Sequence, residues 1–256
     1  MTPEDIVLPF DPDLIRSDLA AAEARLTEAV GAMTEQEFVD RSNLPGWDRA
    51  RVVAHLTTLA NEFARRAEHA KRGELADDGG GRAQRAAAII ATAALSPDAQ
   101  RSALAEALTR LGTSWPDATA LDAAAGWTVR VSLVDGTVYD VLLNWWREIR
   151  IHTVDLDLGD GFAGWPAELY KHLWQALSVR LPEGPAYELD STDSALHHSV
   201  SGDATTVVHM SGTDAEITCW IAGRDQLPLP RAFVGDTRVP LPDLGPYPSH
   251  TQSVGS

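Results

Sequence analysis

The sequence holds a single cysteine, Cys219, among 256 residues. One thiol makes neither an intramolecular disulfide nor a Cys-rich zinc site, so neither device stabilises this chain. Basic residues are also scarce: 21 Lys plus Arg stand against 37 Asp plus Glu, a formal charge of −16. That balance repels phosphate backbones and offers no polybasic patch to an anionic bilayer, so neither nucleic acid nor a membrane surface is an expected partner. No run of about 18 apolar residues is present, which excludes an expected membrane-spanning helix. The opening stretch MTPEDIVLPFDPDLIRSDL carries acids where a signal peptide needs a basic and then an apolar segment, and a cytoplasmic location is expected. A Gly-x-Ser-x-Gly nucleophile elbow is missing, and the glycines at 79–81 lack the Lys-Ser/Thr of a phosphate loop. What is there is ordinary globular material, 44% apolar and 23% charged, enough for one or two domains.

The first 160 residues read as helices. Asp11-Pro12 is an N-cap followed by proline in the first helical position, and Leu19, Leu26, Val30 and Met33 then recur on one stripe. Thr34-Glu35-Gln36-Glu37 fits a capping box for a short turn. Asp48 caps a second long helix carrying Val52, Leu56, Leu59 and Phe63, which stops near Gly73. Asp77 to Gly81 is a break, followed by an alanine-rich helix from Arg82 to Leu95. Ser96-Pro97 starts the next, with Leu104, Leu108, Leu111 and Trp115. Trp127 to Val134 alternates weakly and reads as extended chain or a hairpin arm, with a turn at Asp135-Gly136. The last long helix runs from Thr137 towards Gly159. Four long amphipathic helices predict a helical bundle.

The pattern changes after Gly164. Pro166 to Arg180 reads as one more helix, and AYELD, ALHHSVS and TTVVHMS read as short strands. Thr213 and Glu216 fit a second capping box, and Gly223 fits the position after the end of that helix. The expected class is α+β. A four-helix bundle spans 1–162, a small α/β domain spans 163–227, and residues 228–256, rich in proline, form an extended or disordered tail.

Most of the eight histidines have a bland explanation: His69 lies on a charged helix face, His172 on a helix, His197, His198 and His209 in strands, and His250 in the tail. His55 and His152 stand apart because each falls within an apolar stripe. Val141, Trp145, Glu148 and His152 step by four, three and four residues, so Glu148 and His152 project side by side. A carboxylate and imidazoles inside an apolar interior are costly unless satisfied, and a divalent metal would satisfy them. Two His and one carboxylate leave a position open, as in catalytic zinc sites. A buried Glu–His hydrogen bond, with His55 unrelated, explains the same spacing.

These residues carry a resemblance. LPGWDRARVVAHLTTLANEF resembles the Gly-Trp…His-Leu signature of DinB-like metal-binding bundles. REIRIHTVDLDLG is similar to the Arg-Glu-x-x-x-His-x-Val-Asp-Leu segment of mycothiol-dependent maleylpyruvate isomerases, and Trp220-Ile221-Ala222-Gly223-Arg224 resembles the Gly-Arg close of that family's second domain. The likeness runs in order over about residues 10–226. It implies a DinB-like bundle in which His55, Glu148 and His152 match the zinc ligands and Arg224 matches an arginine needed for activity. Asn61 matches an asparagine of members near the isomerases. Between the second and third helices, isomerases carry a Pro-Met-Tyr segment where this chain has GELADDGGGRAQRAAAI, so the resemblance leaves the substrate open.

The implied chemistry is cis–trans isomerisation by reversible addition of a thiol. Cys219 sits in an expected packed helix, so mycothiol is the expected thiol cosubstrate beside Zn(2+) or another divalent metal. The other partner is a small anionic or electrophilic substrate. Arg224 is the expected cation for a substrate carboxylate, reaching from the small domain. Asn61 and Arg147 are candidate cofactor-binding residues, with surface ion pairs the alternative for Arg147 and Arg150. Two other functions fit the same residues: a mycothiol S-transferase acting on an electrophile, and a non-catalytic metal-stabilised binding or regulatory protein.

Overall fold

The computed structural model describes residues 8–77, 80–116, 123–132, 136–202 and 205–248. The expectations placed on the first seven residues, Asp78, Gly79, Leu133, Val134, Asp135 and His250 lie outside the described residues. The chain divides into two compact units, with the break between Asp160 and Gly161.

The first unit is helical, and local capping chemistry sets most of its boundaries. The Asp11 carboxylate accepts from the Asp13 amide to start α1 (Pro12–Ala32), with proline in the first turn. Thr34 and Glu37 satisfy one another's backbone amides in a capping box on α2 (Glu35–Val39). Asp48 accepts from Arg51 to start α3 (Arg49–Lys71). Then follow α4 (Gly81–Ala93), α5 (Pro97–Ser114) capped by Ser96, α6 (Ala123–Trp127), and α7 (Val138–Asp155) with a Thr137–Asp140 capping box. Trp127 therefore ends a helical turn rather than opening an extended arm; among the described residues the expected hairpin arm is an antiparallel bridge between Arg130 and Thr137, flanked by the Val131 amide donating to the Gly136 carbonyl and the Val138 amide to the Val129 carbonyl.

The long helices α1, α3, α5 and α7 close a ring, α3 and α1 each packing on both α5 and α7, while α4 lies against α3. Two fully buried tryptophans anchor α7. Trp145 donates its indole N–H to Glu23 at 2.9 Å, and Trp146 donates to Asp18 at 2.6 Å, which ties α7 to α1. The far end of α7 is tied to the lead-in of α3. The Asn43 amide donates to the Asp155 carbonyl (2.8 Å) and Arg49 Nε donates to the Leu156 carbonyl (2.6 Å). These bonds satisfy carbonyls that a helix end leaves open, and they fix the register of α7 against α3. Among the described residues no helix is long and apolar enough to cross a membrane.

The second unit is a five-stranded sheet with helices. It comprises α8 (Ala167–Leu177), β1 (Ala186–Ser191), β2 (His197–Val200), β3 (Val207–Gly212), α9 (Asp214–Ile221), β4 (Arg231–Val234) and β5 (Thr237–Val239). The strand order is β2-β1-β3-β4-β5, parallel only between β1 and β3. Helices α8 and α9 pack on each other, and the Trp174 indole donates to Thr218 at 2.9 Å. Helix α9 has the expected capping box and ends as expected: Gly223 sits at φ +77°, and the Arg224 amide donates back to the Cys219 carbonyl. One expectation is corrected. The described part of the expected tail, residues 228–248, is not set apart from the domain, because β4 and β5 lie within it and extend the sheet from β3. The architecture is α+β, a helical unit followed by a mixed sheet with helices.

Candidate metal centre

Helix α3 brings His55 up to α7 at the point where Glu148 and His152 lie one turn apart. Glu148 Oε2 is 3.1 Å from His152 Nε2 and 3.5 Å from His55 Nε2. The imidazole rings meet edge to face at 4.6 Å, and one donor atom from each of the three residues lies within 4.8 Å of the others. Ligands about 2.0–2.1 Å from a tetrahedral ion stand roughly 3.3 Å apart, so the two separations from Glu148 already match edges of a zinc-type site. Glu148 is 1% exposed and His152 7%, so the donors are screened from water. Two imidazoles and one carboxylate are a donor set that suits zinc and its neighbours.

The electrostatics say what the cluster needs. Burial holds the His55 imidazole below its ordinary range, helped by the charge on His152. Burial also opposes charge on His152, but hydrogen bonds with Asp155 and Glu148 outweigh it and push that imidazole up to about 9. Buried carboxylates here demand positive charge, and a proton on His152 or a divalent cation between the three residues would each supply it.

Neighbouring side chains orient the donors. Arg147 is 4% exposed and its Nε donates to Glu148 Oε1 at 3.2 Å, leaving Oε2 to face the imidazoles. That burial excludes the surface ion pair that the sequence leaves as the alternative for Arg147. Trp47 packs its ring edge-on to His55 at 5.6 Å. The carboxylate of Asp155 lies 2.7 Å from His152 Nδ1. Asp155 stands in the segment REIRIHTVDLDLG but has no role in the sequence reading, although its spacing of three from His152 at the end of an apolar stripe is a usable signal.

The other candidates have partners of their own. Asn61 donates to the Thr57 carbonyl (3.2 Å) and accepts from Arg110 (3.3 Å), which also forks onto Glu68. Its hydrogen bonds belong to a network joining α3 and α5. The segment that departs from the isomerase pattern places Arg85 on α4, where it forks onto Glu62 of α3 at 2.7 and 2.9 Å. In the second unit Arg224 leaves α9 in the turn made by Gly223. Its Nη1 donates to the Ala222 carbonyl at 2.6 Å, and Arg224 and Arg180 both lie over the Tyr247 ring. Cys219 is 1% exposed, and burial pushes its thiol up. The second unit also contains an Asp190–His197–Ser199 chain with spacings of 2.8 and 2.9 Å. The Ser199 hydroxyl, however, donates to Glu188 at 2.5 Å, and His197 is half exposed. A hydroxyl committed to a carboxylate is not poised to lose its proton to the imidazole, so these residues form a cross-strand polar ladder rather than a nucleophilic site.

Comparison with known proteins follows the same lines. A crystal structure of the mycothiol-dependent maleylpyruvate isomerase matches with 23% identity and a TM-score of 0.77, covering 94% of this chain and 98% of that one. The crystal structure of a histidine-to-alanine mutant of that isomerase matches with a TM-score of 0.76 at the same identity and coverage. At this identity the two share the fold of the present chain. No curated protein matches it. The model of the Mycothiol maleylpyruvate isomerase N-terminal domain matches residues 19–157, more than half the chain and the span that holds His55, Glu148 and His152. The chain belongs to the mycothiol maleylpyruvate isomerase N-terminal domain family.

Proposed function

We propose that this protein is a metal- and thiol-dependent enzyme that isomerises a cis double bond conjugated to carbonyl or carboxylate groups, with mycothiol as the thiol cosubstrate. The observation that carries the reading is the convergence of His55, Glu148 and His152 inside the bundle, with Glu148 at ligand-edge distance from both imidazoles. These three residues would hold zinc or another divalent ion, which when bound keeps a small thiol deprotonated near neutral pH. Reversible addition of that thiol to the double bond, rotation and elimination give the trans isomer and return the thiol.

The chain's own residues have distinct tasks. Arg147 takes up one oxygen of Glu148, so the carboxylate presents the other to the site. The tryptophans and aliphatic residues around α7 keep bulk water from the donors, which strengthens every electrostatic contact there. Cys219 supplies no nucleophile, being buried and held in its thiol form. Arg224 is our candidate for the cation that receives a substrate carboxylate, since a guanidinium can fork onto it. Asn61 is a candidate for thiol binding through its amide. Maleylpyruvate, a dianion, fits this reading as substrate.

A second reading, S-transfer of mycothiol to an electrophile, is favoured by the segment before and within α4. There Arg85, which forks onto Glu62 of α3, occupies a stretch unlike the isomerase pattern. One experiment separates the readings. Purified protein should contain about one zinc-class ion per chain and lose it when His55, Glu148 and His152 are replaced by alanine. With maleylpyruvate and mycothiol, an isomerase yields the trans product while the free thiol stays constant, whereas a transferase consumes thiol in proportion to product. Unchanged metal content in the triple variant refutes the site, and metal-loaded protein inert towards both substrate classes makes this a binding protein.

A further inference from the structure

We infer that Asp155 is a positioning residue for the metal centre: it accepts the His152 Nδ1–H and so turns the Nε2 lone pair towards Glu148 and His55. The inference rests on the metal reading above and adds a residue to it. Asp155 is the last residue of α7 and is fully buried. Both features disfavour a carboxylate, since burial strips its hydration and the carboxyl end of a helix carries negative partial charge. A carboxylate kept there needs a strong donor, and the shortest contact it makes to His152 is 2.7 Å.

The geometry also says which nitrogen would keep its proton when an ion takes the other. His152 lies between two carboxylates, with Nδ1 towards Asp155 and Nε2 towards Glu148 at 3.1 Å and the His55 ring beyond. In the neutral imidazole only one nitrogen is protonated. With the proton on Nδ1, Asp155 accepts a hydrogen bond and Nε2 offers a lone pair to the cluster. The other tautomer would set a lone pair against the Asp155 carboxylate and push an N–H into the space a metal ion would occupy. Asp155 therefore selects the ligating tautomer and makes the ring a stronger donor, as outer carboxylates do for histidine ligands generally. Glu148, His152 and Asp155 follow one another at four and three residues along α7, so a single helix supplies two donors and the group that aims one of them. The Asn43 amide, bound to the Asp155 carbonyl, fixes that end of the helix.

The test is zinc affinity measured by competition with a chromophoric chelator. Asp155→Asn keeps the size but can present either an acceptor or a donor to Nδ1, so it no longer selects a tautomer. The dissociation constant should rise about 10–100-fold over wild type. A residue that served only the fold would lower the unfolding temperature of the metal-free protein and leave zinc affinity alone, so a constant within twofold of wild type overturns the inference. If the variant does not fold, nitrogen-15 NMR of the zinc-loaded wild type decides without it: His152 should appear as the Nδ1–H form with a strongly deshielded proton, and the Nε2–H form overturns the inference. Wild-type protein that bound no zinc at all would bring down the metal reading and this inference together, whereas tight wild-type binding with an unaffected variant brings down this inference alone.

Discussion

If the thiol comes from a cosubstrate, Cys219 is dispensable for turnover, and the structure says how dispensable. Its side chain is 1% exposed on α9, between Thr218, which is bonded to Trp174, and Trp220. Its Sγ lies 3.6 Å from the Gln226 side-chain oxygen, within reach of a weak S–H bond. Replacing Cys219 by alanine deletes one buried sulfur. That change resembles a loss of one methylene-sized group and should cost about 0.5–1.5 kcal/mol, which shifts the unfolding temperature by a few degrees in a protein of this size. Only the thiolate is a competent nucleophile, and burial pushes this thiol up, so the native state presents almost none. Alkylation then proceeds through opened states alone.

Two assays follow. Iodoacetamide should leave Cys219 unmodified in native buffer over the time that labels it fully in denaturant. Cys219→Ala should turn over with mycothiol at a kcat/KM within about twofold of wild type. Stoichiometric labelling of the native protein with loss of activity would place a reactive thiol on the enzyme. A folded, zinc-loaded Cys219→Ala variant without activity would do the same, and either result refutes the requirement for an external thiol.

Two further predictions concern single side chains. Arg224→Lys keeps the charge and can keep a bond to the Ala222 carbonyl but loses the fork, so kcat/KM should fall about 10–100-fold with zinc content and unfolding temperature unchanged; an unchanged kcat/KM would reduce Arg224 to a helix-end arginine. Tyr139 is pushed up to about 12 by burial, with its hydroxyl bonded to the Phe10 backbone at 2.8 and 2.9 Å. Its folded pKa is raised, so its contribution to stability is complete below the ordinary tyrosine range and is lost as pH rises through about 12; a phenolate absorbance step near pH 10 that vanishes in Tyr139→Phe would refute it.

The helix starts were legible because they are local. Asp11, Thr34, Asp48, Ser96 and Thr213 each bind an amide two or three residues on, and that chemistry needs no tertiary partner. Gly223 was legible for the same reason, since only glycine takes the left-handed turn at low cost. Strands β4 and β5 were not. They span four and three residues, too short for a period, and prolines 228, 230, 240 and 242 bracket them like loop punctuation. Their pairing comes from β3, where His209 faces Phe233, and from each other, both facts of tertiary registry. Trp127 was misread because alanine propensity carries one helical turn from Ala123 through Gly126, and alternation in WTVRVSLV masked it.

The candidate site divides the same way. Glu148 and His152 share a face because they are four apart, so that pair was visible on one helix; His55 stood out by its place in the apolar stripe of α3, but its joining the pair depended on which helix packs against α7, and the family resemblance supported it. A surface ion pair stood open as the alternative for Arg147 because the periodicity argument assumes a helix with one wet face. Helix α7 has almost none: it is covered by α1 and α3, and from Trp145 to Asp155 every residue but Arg150 is buried. On such a helix a polar residue off the apolar stripe does not escape to water. It must find its partner within reach, and the partners at hand are one another. Arg147 therefore turns onto Glu148, Asp155 onto His152, and the two donors onto His55. The burial that makes this cluster costly is also what joins its members, so the metal donors and the residues that aim them form one network set by the central position of a single helix.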